Sequence, residues 1–303
     1  MCPSPAVDVT YHVESLTLGT TNRVSSVAHR PGGKAINVAR VLATLSEPVT
    51  VLAPLNGETG AQVAEGLAAL GIPVEAVPTA AATRRTVTVV DATGAATVLS
   101  EPARVSSGWA DLTARFATLV ARADAVVISG SLPIDAPPDA LAVLVEQAHA
   151  RGRPVVVDTS GPALAEVMSA RPTLVKPNAA ELAELTGDAD PHSAAARLAR
   201  THRIGVVASL GPNGLVAVDE RGAWHARPAG PLDGNPTGAG DAVVAALARG
   251  LARNEELPDI LADAVAVSAA AVLQPHAGDI DVDHVDAQRR GVAVARLSTG
   301  GVA

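Results

Sequence analysis

The sequence predicts an α/β fold, with a central mostly parallel sheet covered by helices on both faces. Three observations carry that expectation. From Ala125 onward, short apolar runs alternate with helical periods, which is the pattern of repeated βα units. Glycine-rich turns run straight into helices at Gly32-Gly33-Lys34 and again at Gly238-Ala239-Gly240. The chain is 48% apolar yet only 1% aromatic, so Ala, Val and Leu must fill the core. At 303 residues it suits one large α/β domain, predicted to span 1–303.

The elements follow in order. Val7, Val9, Tyr11 and Val13 alternate with polar residues, so residues 5–29 read as short, half-exposed strands. Arg30 to Lys34 reads as a turn, and Ala35 to Leu45 as a helix. Val49 to Leu52 is a buried strand, and Thr59 to Leu70 a helix stopped by Gly71. Thr86 to Val90 and Ala95 to Leu99 pair around the turn sequence Asp91-Ala92-Thr93-Gly94. Strands are then expected at 125–128, 154–157, 174–175 and 205–209, with helices at 137–151, 162–168 and from Ala179. A hairpin from Leu215 closes around Glu220 to Gly222, and helices at 239–252 and 257–274 complete the core. The tail beyond about Val292 reads as disordered. In a parallel sheet, ligands bind beyond the carboxyl ends of the strands. Ser129-Gly130-Ser131, Asp158 to Gly161, Lys176-Pro177-Asn178 and Ser209-Leu210-Gly211 all fall there.

Charge and composition exclude several classes. The net charge is −8 with no basic block, which argues against nucleic acid and anionic membrane as partners. The single cysteine, Cys2, allows no disulfide within the chain and no cysteine-based metal site. No apolar run is long enough to span a membrane, and Met1 to Asp8 lacks the pattern of a signal peptide, so a cytoplasmic protein is expected.

The chemistry centres on Asn235-Pro236-Thr237-Gly238-Ala239-Gly240-Asp241. A helix start here offers unpaired N–H groups and a positive dipole end to an anion. An acid beside an anion site makes sense if it takes a proton from an attacking hydroxyl. Taken alone, Asp241 reads first as a first-turn acid that favours the dipole. The dinucleotide fingerprint is excluded, because Gly238-Ala239-Gly240 lacks the third glycine; the P-loop is excluded, because Gly33-Lys34 is followed by Ala35. Other segments also read two ways. Thr83-Arg84-Arg85 is edge protection or a phosphate clamp. Asn178 and Glu181 form a capping box or order waters around Mg²⁺. Asp8, in an apolar strand, is a buried acid in need of partners such as sugar hydroxyls.

In order along the chain, Asp8, Gly32-Gly33-Lys34-Ala35-Ile36-Asn37, Thr83-Arg84, Ser129-Gly130-Ser131, Asp158 to Gly161, Lys176-Pro177-Asn178-Ala179-Ala180-Glu181, Ser209-Leu210-Gly211 with Gly214, and Asn235 to Asp241 together resemble the PfkB branch of the ribokinase family of carbohydrate kinases. The resemblance runs from about Ser4 to Val285 and is nearest to the phosphosugar group, in which tagatose-6-phosphate kinases and 1-phosphofructokinases fall. It implies a ribokinase-like sandwich with a small β lid built from about 7–29 and 84–100. It implies Asp241 as the base, with N–H groups of Gly238, Ala239 and Gly240 as the anion hole. Asp8, Gly32, Gly33 and Asn37 would hold the sugar; Lys34, Arg84 and Ser131 would hold its phosphate. Lys176, Ser209, Gly211, Gly214 and Thr237 would bind the nucleotide, while Asn178 and Glu181 would serve Mg²⁺ through water. The implied reaction is ATP-dependent phosphorylation of a ketohexose phosphate: tagatose 6-phosphate or fructose 1-phosphate first, fructose 6-phosphate next. The resemblance also implies a homodimer and admits a monovalent cation. A kinase of an unphosphorylated sugar or nucleoside, and a non-catalytic sugar-phosphate sensor, are the alternatives. The chain departs from the family pattern at Ala35, Ser4, Glu101 to Arg104 and the 274–278 loop.

Overall fold

The computed structural model describes residues 1–105 and 108–297. The chain opens with β1 (Ala6–Val13), β2 (Val24–Gly32), α1 (Lys34–Thr44), β3 (Val51–Pro54), α2 (Gly57–Ala69) and β4 (Val74–Val77). Next come β5 (Arg84–Val90), β6 (Ala96–Ser100), α3 (Trp109–Val120), β7 (Val126–Ser129), α4 (Ala140–His149), β8 (Val155–Asp158), α5 (Pro162–Val167) and β9 (Leu174–Val175). It continues through α6 (Ala179–Thr186), α7 (Pro191–His202), β10 (Gly205–Ser209), β11 (Leu215–Asp219) and β12 (Gly222–Arg227). It closes with α8 (Ala239–Ala252), α9 (Leu257–Val272), α10 (Val282–Arg289) and β13 (Ala293–Arg296).

The central sheet runs β13-β12-β11-β10-β9-β8-β7. Strands β7 to β10 are mutually parallel, and the hairpin strands and β13 add antiparallel pairings. The parallel half is the half built from βα units, as expected for strands joined through helices. Side-chain alternation divides the core. Val155, Val157, Val206 and Ala208 face α3 to α7, packing with Leu112, Phe116, Leu144 and Leu182. Val156 and Val207 face the other way, onto α1, α8 and α9, where Val41, Leu247 and Leu261 lie. With a period of two, such valine-rich strands bury both faces.

A separate sheet runs β2-β1-β5-β6, and β3 pairs with β4. Met1 and Cys2 lie between β3 and β7, with the Cys2 N–H on Leu52 O at 2.8 Å and the Met1 amine on Val127 O at 2.7 Å. Burial there pushes the Cys2 thiol up to about 11, which holds it in the unreactive protonated form.

Two sequence expectations need correction. Arg30 to Gly32 is not a turn but the end of β2, and only Gly33 bends the chain, with φ of 109°. Pro31 is tolerated there because β2 is an edge strand, where a missing N–H leaves no ladder bond unmade. The stretch after Val292 is not wholly irregular: residues 293–296 pair with β12 as β13, and residues 298–303 lie outside the described residues. The sequence reading also passed over α3, α7, α10 and β4.

Candidate active site

The turn into α8 is built from side-chain and backbone bonds. The Asn235 N–H donates to Val272 O at 2.8 Å, its Nδ2 to Pro275 O at 3.0 Å, and its Oδ1 accepts from the Thr237 N–H at 3.0 Å. Gly238 has φ of 86°, and a Cβ there would lie 2.7 Å from Ala277 Cα, so only glycine fits. The Ala239 N–H turns back to Pro236 O at 3.2 Å. Of the three N–H groups expected to face an anion, this one is already engaged.

Asp241 follows on the first turn of α8, with only 7% of its surface exposed. Its Oδ2 accepts from Asn37 Nδ2 of α1 at 2.8 Å. Burial pushes the carboxyl up to about 7; the Asn37 bond opposes this, the Asp158 charge adds to it, and Lys34 and Lys176 pull it back. A carboxyl poised near neutrality, on a helix start, is suited to general-base work.

Asp158, at the carboxyl end of β8, is a residue to which the sequence alone assigns no role. It is 1% exposed, and both Lys34 Nζ (3.3 Å) and Lys176 Nζ (3.2 Å) pair with it. Ser129 Oγ donates to its Oδ2 at 3.2 Å. The signal was present in Val155-Val156-Val157-Asp158: an acid closing an all-valine strand needs buried partners. Burial works to lower the Lys34 pKa, but the charges of Asp158 and Asp241 outweigh it and raise it. A Cβ at Gly240 would lie 3.5 Å from Lys176 Nζ, so that ammonium sits beside the α8 start. The structure thus gathers Asp241, Asn37, Lys34, Lys176 and Asp158 at one point, with Lys34 turned to the acids.

The small sheet presents a second cluster. Asp8 pairs in register with Arg30 on β2 and with Thr86 on β5. A Cβ at Gly32 would fall 2.1 Å from Asp8 Cγ, so the carboxyl lies flat across bare backbone. Burial raises the Asp8 pKa, countered by Arg84, the Thr86 hydroxyl and Arg30. Arg84 donates to Ser4 Oγ (2.9 Å), Ser4 O (3.4 Å), Thr86 Oγ1 (3.2 Å), Ser100 Oγ (2.7 Å) and Glu101 O (3.2 Å). These hydrogen-bond partners are neutral oxygens, which orient the guanidinium, and its charge is set against the Asp8 carboxyl. Gly33 crosses the buried Ser4 carbonyl, and Ser131 is exposed in the loop after β7, one residue past Gly130, whose N–H donates to Asp158 O at 2.9 Å.

Asn178 caps α6. Its Oδ1 accepts from the Glu181 N–H at 2.9 Å, and Glu181 Oε2 accepts from the Asn178 N–H at 2.8 Å, a complete capping box. The structural role is therefore filled, and the Glu181 charge still reaches Lys34. Asn178 bridges to Ser209, which brings the cap beside the turn of Gly211 (φ 59°) and Gly214 (φ 84°). Among the described residues no group of three or more His, Cys, Asp or Glu is placed to hold a metal directly. A hard cation that keeps most of its water fits this donor set better than one needing a full protein cage. No helix of the described residues is long and apolar enough to cross a membrane.

Comparison with known proteins gives a consistent picture. The model of the pfkB family carbohydrate kinases matches residues 4–284. The chain is 32% identical to a 1-phosphofructokinase of Vibrio cholerae, over 97% of this chain and 95% of that one. It is 37% identical to a 1-phosphofructokinase of Rhodobacter capsulatus, over 89% of each. Phosphofructokinase-2 of Escherichia coli, solved in complex with potassium, superposes with a TM-score of 0.90 at 29% identity, covering 95% of this chain and 96% of that one.

Proposed function

Since the chain belongs to the pfkB family of carbohydrate kinases and is a phosphotransferase that phosphorylates a phosphosugar, we propose that its acceptor is fructose 1-phosphate, phosphorylated by ATP to the bisphosphate. Tagatose 6-phosphate is the second acceptor and fructose 6-phosphate the third. The observation that supports this reading is Arg84: a guanidinium held by neutral oxygens beside Asp8, a cation whose fork matches a sugar phosphate. The similarity to 1-phosphofructokinases supports the order of the acceptors.

In this mechanism Asp8 and Asn37 orient the sugar over Gly32 and Gly33, and Arg84 with Ser131 holds its phosphate. Asp241 takes the proton of the attacking hydroxyl. That oxygen forms a bond to the γ-phosphorus as the bond to ADP breaks. The α8 start, through Gly238 and Gly240, and the Lys34 and Lys176 ammoniums spread the charge of the phosphoryl in transit, while the Ala239 N–H stays on Pro236 O. Ser209, Gly211, Gly214 and Thr237 line the nucleotide. Asn178 and Glu181 would hold Mg²⁺ through water, and the ion would neutralise charge between the phosphates. The similarity to a potassium-bound relative supports a monovalent cation; equal rates in potassium and in tetramethylammonium chloride would remove it.

The sheet of β1, β2, β5 and β6 acts as a lid that excludes water. Val27 (51% exposed) and Leu99 (61%) leave it an apolar outer surface, which two copies cover in a homodimer. Sedimentation showing only monomer at micromolar concentration would overturn the dimer. The protein works in the cytoplasm, where its phosphorylated substrates are held; recovery with the membrane or exported fraction would contradict that.

The test is Arg84→Ala. Losing charge-assisted bonds worth roughly 1.5–3 kcal/mol raises the phosphosugar KM about 10- to 100-fold. An unchanged KM would sink the clamp.

A further inference from the structure

One acid outside the site ties together three segments that meet at it. Asp279 lies past α9, in the loop that leads to α10. Arg30 of β2 reaches it with Nη2 at 2.8 Å from both carboxylate oxygens, and Arg40 of α1 donates to Oδ1. Arg40 is 7% exposed, so its charge needs this partner. The loop that carries Asp279 is wedged into the active centre. A Cβ at Gly278 would lie 3.1 Å from Asn37 Cα and 3.3 Å from Arg40 Cδ, while the preceding Ala277 packs on the Gly238 turn, its Cα only 2.7 Å from where a Gly238 Cβ would fall. So one side of the loop meets the residue that holds Asp241, and the other meets the proposed anion hole.

We infer that Asp279 is a positioning residue for phosphoryl transfer: its two arginines clamp β2 and α1 onto the 277–279 loop, and so set Asn37 and the Gly238 turn in register with Asp241. The inference rests on the phosphotransferase reading of that site. Nothing in it requires Asp279 to touch a substrate. The transition state is sensitive to small displacements, so the clamp acts on kcat.

A matched control exists in the same molecule. Asp263 of α9 also receives two arginines, Arg249 of α8 and Arg289 of α10, away from the site residues described above. The experiment compares Asp279→Asn, Asp279→Glu and Asp263→Asn with the wild type by steady-state kinetics and by amide hydrogen exchange. Asp279→Asn is expected to lower kcat about 10- to 100-fold with both KM values within about threefold. Asp279→Glu keeps the charge and recovers most of the rate, while Asp263→Asn lowers the melting temperature and leaves kcat of the folded enzyme unchanged. Exchange in peptides covering 33–40 and 235–242 is expected to speed up in Asp279→Asn and not in Asp263→Asn. A full kcat in Asp279→Asn, a loss carried by KM, or unchanged exchange in those peptides would overturn the inference. If the wild type turned over no phosphosugar, the proposed substrate would fail, and the exchange comparison would still decide the clamp.

Discussion

Asp241 is where burial, charge and chemistry meet in a single side chain. Its carboxyl is pushed up to about 7, first by burial and then by Asp158. Two results follow with opposite signs. In its proposed role as base it must be ionised, so kcat/KM is expected to rise with pH through about 7 and then level off. For stability, the folded carboxyl holds its proton up to about pH 7, whereas the unfolded one releases it near 4. Stability therefore falls as pH rises across that window. Asp241→Asn removes the titration and keeps an oxygen for Asn37 to donate to. It is expected to cut kcat about 10²- to 10⁴-fold while raising the melting temperature at pH 8, with the gain vanishing below pH 4. Denaturation at both pH values, beside the rate, checks this; a melting temperature lowered at pH 8 would show that the buried charge stabilises the fold. At this scale the sequence was legible where a motif fixed the neighbours: Asp241 and Asn37 sit in signature segments, and they meet at 2.8 Å. Asp158 stood in view at a strand end, yet its partners come from three other segments, Lys34 of α1, Ser129 of β7 and Lys176 after β9, so its role was not. The Asp279 clamp was hidden more deeply, because Arg30 lies 249 positions away and no local pattern links them.

Among the elements, α6 shows how one feature serves structure while leaving a second task open. Its capping box uses one oxygen of Asn178 and one of Glu181. Glutamine also closes a capping box, so Glu181→Gln should leave α6 and the melting temperature nearly intact. Removal of the charge should raise the Mg²⁺ concentration needed for half-maximal rate by about tenfold, the scale of losing a group that orients a metal's shell. A titration of rate against free Mg²⁺ reads the effect, and an unchanged midpoint would leave Glu181 a cap alone. Elements were legible where a glycine or an N-cap marked their edges. Helix α8, expected over 239–252, begins at Ala239, and α6 begins at Ala179 as predicted. Helix α3 was missed although Leu112, Phe116 and Val120 repeat every fourth residue and a Ser-Gly pair at 107–108 precedes it. The end of β2 was misread because Pro31, Gly32 and Gly33 together usually mark a turn, whereas the edge position of β2 lets the strand run through Pro31 and Gly32, and the bend falls only at Gly33.

Across the whole molecule, the βα alternation placed the polar clusters at one end of the sheet, and the fold agrees. The end strands were less legible. Short segments such as Ala293–Arg296 gain their stability from pairing with β12, not from their own sequence. The central claim is likewise a property of the assembled molecule: the sugar cradle of the small sheet and the transfer centre at α8 must act on one substrate. The direct measurement is ADP release by the purified protein with Mg-ATP, across fructose 1-phosphate, tagatose 6-phosphate, fructose 6-phosphate, free fructose, ribose and adenosine. Turnover on a phosphosugar, fastest on fructose 1-phosphate and absent with the free sugars, is the expected result. Turnover confined to a free sugar or to adenosine would contradict it, and would strip Arg84 of its phosphate.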